Sequence, residues 1–289
     1  MDTFFQQLVN GLSTGSIYAM VAVGLTLIFG VLELINFAHG EFFMAGAFAL
    51  YLLKTKLDIP YLPSIFIAIA ALAILGWFTR RSLGLQPQKP FETMILLTLG
   101  ASVILQNGAL AVWGPSFRYI PTSLTQSRQD ILGIFISDQR LLVLVVSPIA
   151  FTLLELFIRH TKSGKAMRAV AQNYYAASVV GINIDYIVSL TFVMGIGLAG
   201  LAGALIAPII SANPRMGVGV LMKSFAVIVM GGRGNMRGAI ISALIIGVVE
   251  SLTTQYISLA FKDVFAFVVL IAVLIVRPEG LFGRKAGLV

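Results

Sequence analysis

Nine apolar stretches, most of them long enough to cross a bilayer, decide what this chain can become. They cover residues 4–32, 36–53, 61–79, 92–113, 140–158, 186–210, 218–232, 238–257 and 263–276. A helix needs about 20 mainly apolar residues to span a hydrocarbon core of roughly 30 Å, and 218–232 and 263–276 fall short of that. Helices are the only form open to these stretches, because an open strand leaves backbone groups unpaired in lipid. Charge agrees: 11% of the residues are charged and 58% are hydrophobic, whereas a soluble domain carries roughly a quarter charged residues. The expected fold class is an all-α polytopic membrane protein. It should have about eight or nine transmembrane or partly spanning helices, with broken helices and inverted repeats as further features. Residues 1–289 read as a single transmembrane domain. Met1 is followed by Asp2 with no basic n-region, so the first apolar run is expected to be retained.

Lys and Arg set the orientation. Arg80, Arg81 and Lys89 form one basic cluster, Arg159, Lys162, Lys165 and Arg168 a second, and Arg277, Arg284 and Lys285 a third. All three should share the cytoplasmic side. The loop 114–139 carries Arg118, Arg128, Asp130 and Asp138, is balanced in charge and should face out. If every segment crosses, the N-terminus lies outside, and so do Lys54 and Lys56. The net charge of +8 is thus a topology signal. It is split among loops with no aromatic interleaving, which argues against nucleic-acid binding.

The chain contains no cysteine, which excludes disulfides, zinc thiolate sites and thiol nucleophiles. SGKA at 163–166 lacks the upstream glycine and the Ser or Thr after Lys of a phosphate-binding loop. His39 and His160 are far apart, and HGE at 39–41 does not have the one-turn His spacing of a zinc helix. No nucleophile-elbow pattern occurs. No catalytic residue, metal site or cofactor of its own is therefore expected.

Four places carry polar information. INFAHGEFF at 35–43 sets Asn36, His39, Gly40 and Glu41 beside an apolar run, with Gly30 upstream. Ionisable groups in a membrane are costly and usually face a cavity or a partner. Three readings stay open: the residues line or gate a path; Asn36 caps the second segment while His39 and Glu41 satisfy each other or a neighbouring helix; or they form a headgroup loop. Glu250, in the eighth segment, poses the same question, with Gln255 about a turn and a half beyond. The stretch 161–182 reads as one amphipathic cytoplasmic helix capped by Ser163 and ended at Gly181. Ala166, Ala169 or Val170, Asn173, Ala177 and Val180 make a small apolar face, and Lys165 and Arg168 stay available to water or a partner. It either lies on the headgroups or docks a soluble partner. Finally, VMGGRGNMRGA at 229–239 reads as a tight turn built on Gly231, Gly232 and Gly234. Pro214, Gly217 and Gly219 just upstream suggest a broken start to 218–232. The polar, glycine-bearing interruptions at 30–40 and 213–219 fall in the two halves of the chain, as in transporters built from inverted repeats.

Four blocks then carry a resemblance: NGLSTGSIYAMVAVGLTLIFGVLELINFAHGEFFMAGAF at 10–48, SGKAMRAVAQNYYAASVVGIN at 163–183, KSFAVIVMGGRGNMRGAIISALIIGVVES at 223–251 and FKDVFAFVVLIAVLIVRPEGLFG at 261–283. With INFAHG and RPEGLFG as its most specific elements, the chain resembles the permease subunits of ABC importers for branched-chain amino acids, in the LivH-like group. Lys165 and Gln172 depart modestly from that pattern. The resemblance implies a multi-pass protein of the bacterial inner membrane that moves branched-chain or other neutral amino acids inward. It implies a second homologous permease subunit, two cytoplasmic ATPase subunits that bind ATP and Mg, and an extracytoplasmic solute-binding protein for which 114–139 is the platform. It also favours ATPase coupling for 163–181, with Ser163, Gly164, Arg168, Ala169, Ala177 and Gly181 as its residues. A permease for urea or short amides is the alternative within the class; a stand-alone channel is the alternative outside it.

Overall fold

The computed structural model describes residues 2–131, 133–232 and 234–283. Arg284 and Lys285 of the third basic cluster, and Arg233 of the glycine turn, lie outside the described residues. The helices are α1 (Asp2–Leu32), α2 (His39–Tyr51), α3 (Tyr61–Leu83), α4 (Phe91–Trp113), the single turn α5 (Ser123–Gln126), α6 (Asp138–His160), α7 (Lys162–Gln172), α8 (Tyr174–Val179), α9 (Ile184–Ile210), α10 (Met216–Gly231), α11 (Met236–Tyr256) and α12 (Lys262–Val276). Strands β1 (Arg128–Ile131) and β2 (Ile134–Ser137) form one antiparallel hairpin. Among the described residues seven helices are long and apolar enough to cross a membrane, the last extended by a 3₁₀ turn from Leu259. The expected segments 36–53 and 218–232 became the shorter pieces. One is α2, prolonged by a π-helical stretch at Leu52–Lys56, and the other is α10, of 16 residues.

α1 and α9 stand at the centre. α1 packs along α11 and α9, and α9 also packs on α2 and α3. The most apolar part of α1 is 89% buried, against 6% for the last span. Lipid tails are as apolar as leucine, so packing in a bilayer depends on how closely helices approach. Small residues at the crossings allow backbone to meet backbone here. Gly11 and Gly15 of α1 abut Val248 and Ala243 of α11, Gly24 abuts Gly195, and Gly46 abuts Gly200. Gly203 lies directly under the Phe43 carbonyl.

The basic clusters gather at one end. Arg168 of α7, Arg237 of α11 and Glu279 after α12 line one groove, and Lys89 and Tyr174 line another with Glu33. At this end Arg80, only 2% exposed, is 2.6 Å from Asp185 at the start of α9, and its Nε donates to the Leu85 carbonyl at 3.1 Å. By the positive-inside rule this end is cytoplasmic. The opposite end carries the β-hairpin. There Gln6 of α1 makes a two-way bond with the Phe135 backbone, at 2.8 and 2.9 Å. Arg118 pairs backbone to backbone with Ala212. The loop 114–139 is therefore held at the end that carries the start of α1.

The close crossings can be tested by adding one methyl group. Gly203→Ala places that methyl on the Phe43 carbonyl and should cost about 1–3 kcal/mol, visible as a lower unfolding temperature of the detergent-solubilised protein. Gly100→Ala meets open space and should hold or raise that temperature, since alanine favours helix by up to about 1 kcal/mol over glycine.

Candidate functional site

The chain leaves α1 at Glu33, which takes a left-handed φ of 52°. The six non-helical residues 33–38 run back into the protein. The Asn36 side chain accepts from the Ala38 N–H at 3.1 Å, and the His39 N–H bonds to the Asn36 carbonyl at 3.1 Å. This turn starts α2 at His39, three residues later than the sequence suggested, so Asn36 braces the turn before the helix. His39 Nε2 lies 3.1 Å from the Val21 carbonyl. A carbonyl only accepts, so Nε2 carries the proton and Nδ1 is left without a partner. Val21 is eleven residues before the end of α1, about 16 Å along its axis at ~1.5 Å per residue. α2 thus begins well inward of the end of α1.

Glu41 Oε1 accepts from Ser102 of α4 at 3.2 Å, while Oε2 has no partner. His39 and Glu41 therefore each engage a neighbouring helix and not one another. Gly40 lies against Gly217, each under the other's carbonyl, and Glu41 Oε2 adjoins Gly217 as well. The two interruptions of the sequence meet at this contact. One short helix enters from the cytoplasmic end and the other from the outer end, and their first turns touch. Each helix N-terminus carries a partial positive charge of about +0.5. A carboxylate beside two of them gains an offset without a counter-ion. Asn36, His39 and Glu41 are 0–1% exposed. In this conformation none of them lines an open path.

Glu250 sits elsewhere, in a buried ion network. Lys223 of α10 is 2.6 Å from Glu250 of α11 and 2.9 Å from Asp263 of α12. Tyr18 of α1 donates to Glu250 at 2.8 Å and accepts from Lys223 at 3.0 Å. Gln255 plays no part and accepts from Gln7. Sequence reasoning singled out Glu250 but missed Lys223 and Tyr18. A lysine inside the apolar run 218–232 was the signal, since such a charge needs a partner.

The cytoplasmic segment corrects the single-helix expectation. Asn173 leaves helical geometry and caps α8, accepting from the Ala176 N–H at 2.9 Å, so α7 and α8 are separate. Thr161, not Ser163, caps α7 through the Gly164 N–H at 3.0 Å. Gly164 packs on the Phe157 carbonyl and Ile158, and Arg168 donates to the Ile158 carbonyl. Gly181, at φ 85°, follows the end of α8. Ala177 is buried and Ala169 half-buried, and with Met167 and Val170 they pack on this chain's own Leu32, Ile187 and Val188. The outward side carries Tyr175, Val179 and Val180, 66–85% exposed.

The glycine turn also has a partner in the chain. Gly231 abuts Gly238, and Gly232 and Gly234 take φ of 95° and 74°. The RPEGLFG stretch folds onto this turn. Leu281 N–H bonds to the Met230 carbonyl at 2.7 Å, and Asn235 donates to the Phe282 carbonyl at 3.1 Å.

Breaking the Lys223 network should show whether it is structural. Lys223→Met strands Glu250 in a buried setting and should cost about 3–5 kcal/mol. Lys223→Met combined with Glu250→Gln should recover much of that loss, and a double-mutant cycle on thermal unfolding measures the coupling.

Comparison with known proteins places this architecture. The family model described as the branched-chain amino acid transport system permease component matches residues 7–274. The chain is 34% identical to the high-affinity branched-chain amino acid transport system permease protein LivH of Salmonella typhimurium, over 97% of this chain and 96% of that protein. It is equally 34% identical to BraD of Pseudomonas aeruginosa, again over 97% and 96%. Among solved structures, PsaBC from Streptococcus pneumoniae in complex with Fab shares the fold at a TM-score of 0.52 and 13% identity, covering 94% of this chain and 92% of that one. The chain belongs to the family of branched-chain amino acid transport system permease components.

Proposed function

We propose that this chain is the permease subunit of a binding-protein-dependent ABC importer that moves branched-chain or other neutral amino acids inward across the bacterial inner membrane. Residues 1–289 act as one permease domain with no ATP site of their own. A second homologous permease completes the path, and two cytoplasmic ATPases bind ATP and Mg. A solute-binding protein delivers its cargo to the outer end at 114–139. The family match supports this reading. The observation that carries the coupling step is the α7–α8 pair, tied to the bundle on one side and apolar on the other. The exposed Tyr175 and Val179 of α8, with Val180 just after its end, offer an ATPase a surface to grip. Ala169 and Ala177 transmit its motion from the inner side to α1 and α9, and Gly181 lets the chain turn into α9.

The gate in this reading is the contact between Gly40 and Gly217. Motion of α10 would separate the two helix starts and uncover Asn36, His39 and Glu41. Lys223 and Glu250 tie α10 to α11, so the outer part of that rearrangement pivots on them. The glycine turn at Gly231, Gly232 and Gly234 sets how α10 and α11 move together.

The two sides of the coupling helices separate in experiment. Ala177→Trp should lower the yield of folded protein, because its site is full. Val179→Asp with Val180→Asp should leave folding intact and reduce ATP-driven leucine uptake in reconstituted vesicles at least about tenfold. Competition by urea or acetamide for that uptake would point to the amide alternative, and uptake without ATPase subunits would point to a channel. The gate has its own test. With no cysteine in the chain, Asn36→Cys should resist a small polar thiol reagent at rest and react during turnover with ATP and binding protein. Equal resistance in both states removes the gate.

A further inference from the structure

A second feature lies at the cytoplasmic end, between α6 and α11. Both helices pack on α1, and their backbones stand apart, bridged by the ion pair of Arg237 with Glu155. The gap is a groove of about 980 Å³. Val23, nine residues before the cytoplasmic end of α1, is part of its lining. Phe151, Leu154 and Ile158 form one wall, and Ile240 with Val229 and Phe282, beside the glycine turn, the other. The groove thus reaches about 13 Å inward from the cytoplasmic end of α1, at ~1.5 Å per residue, with apolar residues on both sides of that depth. Its outer rim changes character: Arg159, Arg168 and Arg237 stand around Glu155.

The arginines are only partly occupied. Arg159 and Arg237 share a single carboxylate oxygen, Glu155 Oε1, at 2.6 and 2.8 Å, and remain 56% and 68% exposed. Arg168 donates to the Ile158 carbonyl. Glu279 is the second acid in the lining. Among the described residues three guanidinium groups therefore face two carboxylates, and each arginine keeps free donors of the fork geometry that suits phosphate.

We propose that this groove is a binding site for an anionic phospholipid of the cytoplasmic leaflet. Its acyl chains fill the slot over Val23, and its phosphate is held by Arg159 and Arg237 with Arg168 behind them. Two observations select this occupant. A slot with apolar walls that rises about 13 Å from the cytoplasmic end of α1 matches acyl chains. A net positive rim at the headgroup level of the basic side matches an anionic head, since basic pockets between membrane helices recognise such headgroups. The site is separate from the Gly40–Gly217 contact and from the outward side of α8. Bound there, the lipid would brace α6, which carries α7, against α11, which follows the glycine turn.

The assembled transporter provides the test. A fluorophore on Thr152→Cys, a groove position exposed in this chain, is read in nanodiscs with cysteine-free partner subunits. Brominated phosphatidylglycerol should quench it at about fivefold lower mole fraction than brominated phosphatidylcholine, the factor expected from roughly 1 kcal/mol of headgroup attraction. Arg159→Gln with Arg237→Gln should abolish that preference while leaving quenching by phosphatidylcholine unchanged. Equal quenching by both lipids in the unsubstituted protein overturns the anionic site. Absence of quenching by either lipid shows that a partner subunit fills the groove, and overturns the proposal as well.

Discussion

In a bilayer, burying an apolar side chain gains little over leaving it in lipid, so this bundle rests on contacts that lipid cannot imitate. Backbone against backbone at glycine pairs is the main one. Gly15 with Gly247, Gly24 with Gly195 and Gly46 with Gly200 hold α1, α2, α9 and α11 closer than any side chain would permit. Such proximity lets many weak dispersion contacts add up. It also allows the two short helices to start inside the protein. Their first turns fit only because Gly40 and Gly217 carry no side chain.

The same constraint explains where charge is tolerated. Glu41 adjoins two helix starts and one serine hydroxyl. Lys223 has two carboxylates and a tyrosine within 3.0 Å. Arg80 is paired with Asp185 where α3 meets α9. Each buried charge joins elements distant in sequence, and each fixes the register of helices whose apolar surfaces alone would slide. Lys223 does this for α1, α10, α11 and α12 together. Any motion of α10 must carry those partners along or exchange them.

α7 and α8 show how a sequence pattern reads correctly and still points the wrong way. Small apolar residues at helical spacing do form a face, but that face is spent on this chain's own α1 and α9. The larger, more exposed Tyr175, Val179 and Val180 are left outward. Their apolar character on a water-facing helix sets them apart from the polar residues around them, and it gives the segment a second side.

The sequence alone determined the class, the number of apolar segments, and the two interruptions at 30–40 and 213–219. Hydropathy, charge and glycine are local properties, so they are legible one residue at a time. The INFAHG and RPEGLFG strings stood out, but their use did not. Only the tertiary structure brought Gly40 to Gly217, Lys223 to Glu250 and Asp263, and Leu281 onto the last turn of α10. It also split the 161–182 helix at Asn173, where a side-chain cap on Ala176 outweighed the helical pattern. Apart from that local cap, these are pairings across tens of residues to more than a hundred. A single sequence records that a buried lysine or carboxylate needs a partner; which partner it finds is decided by how the helices pack.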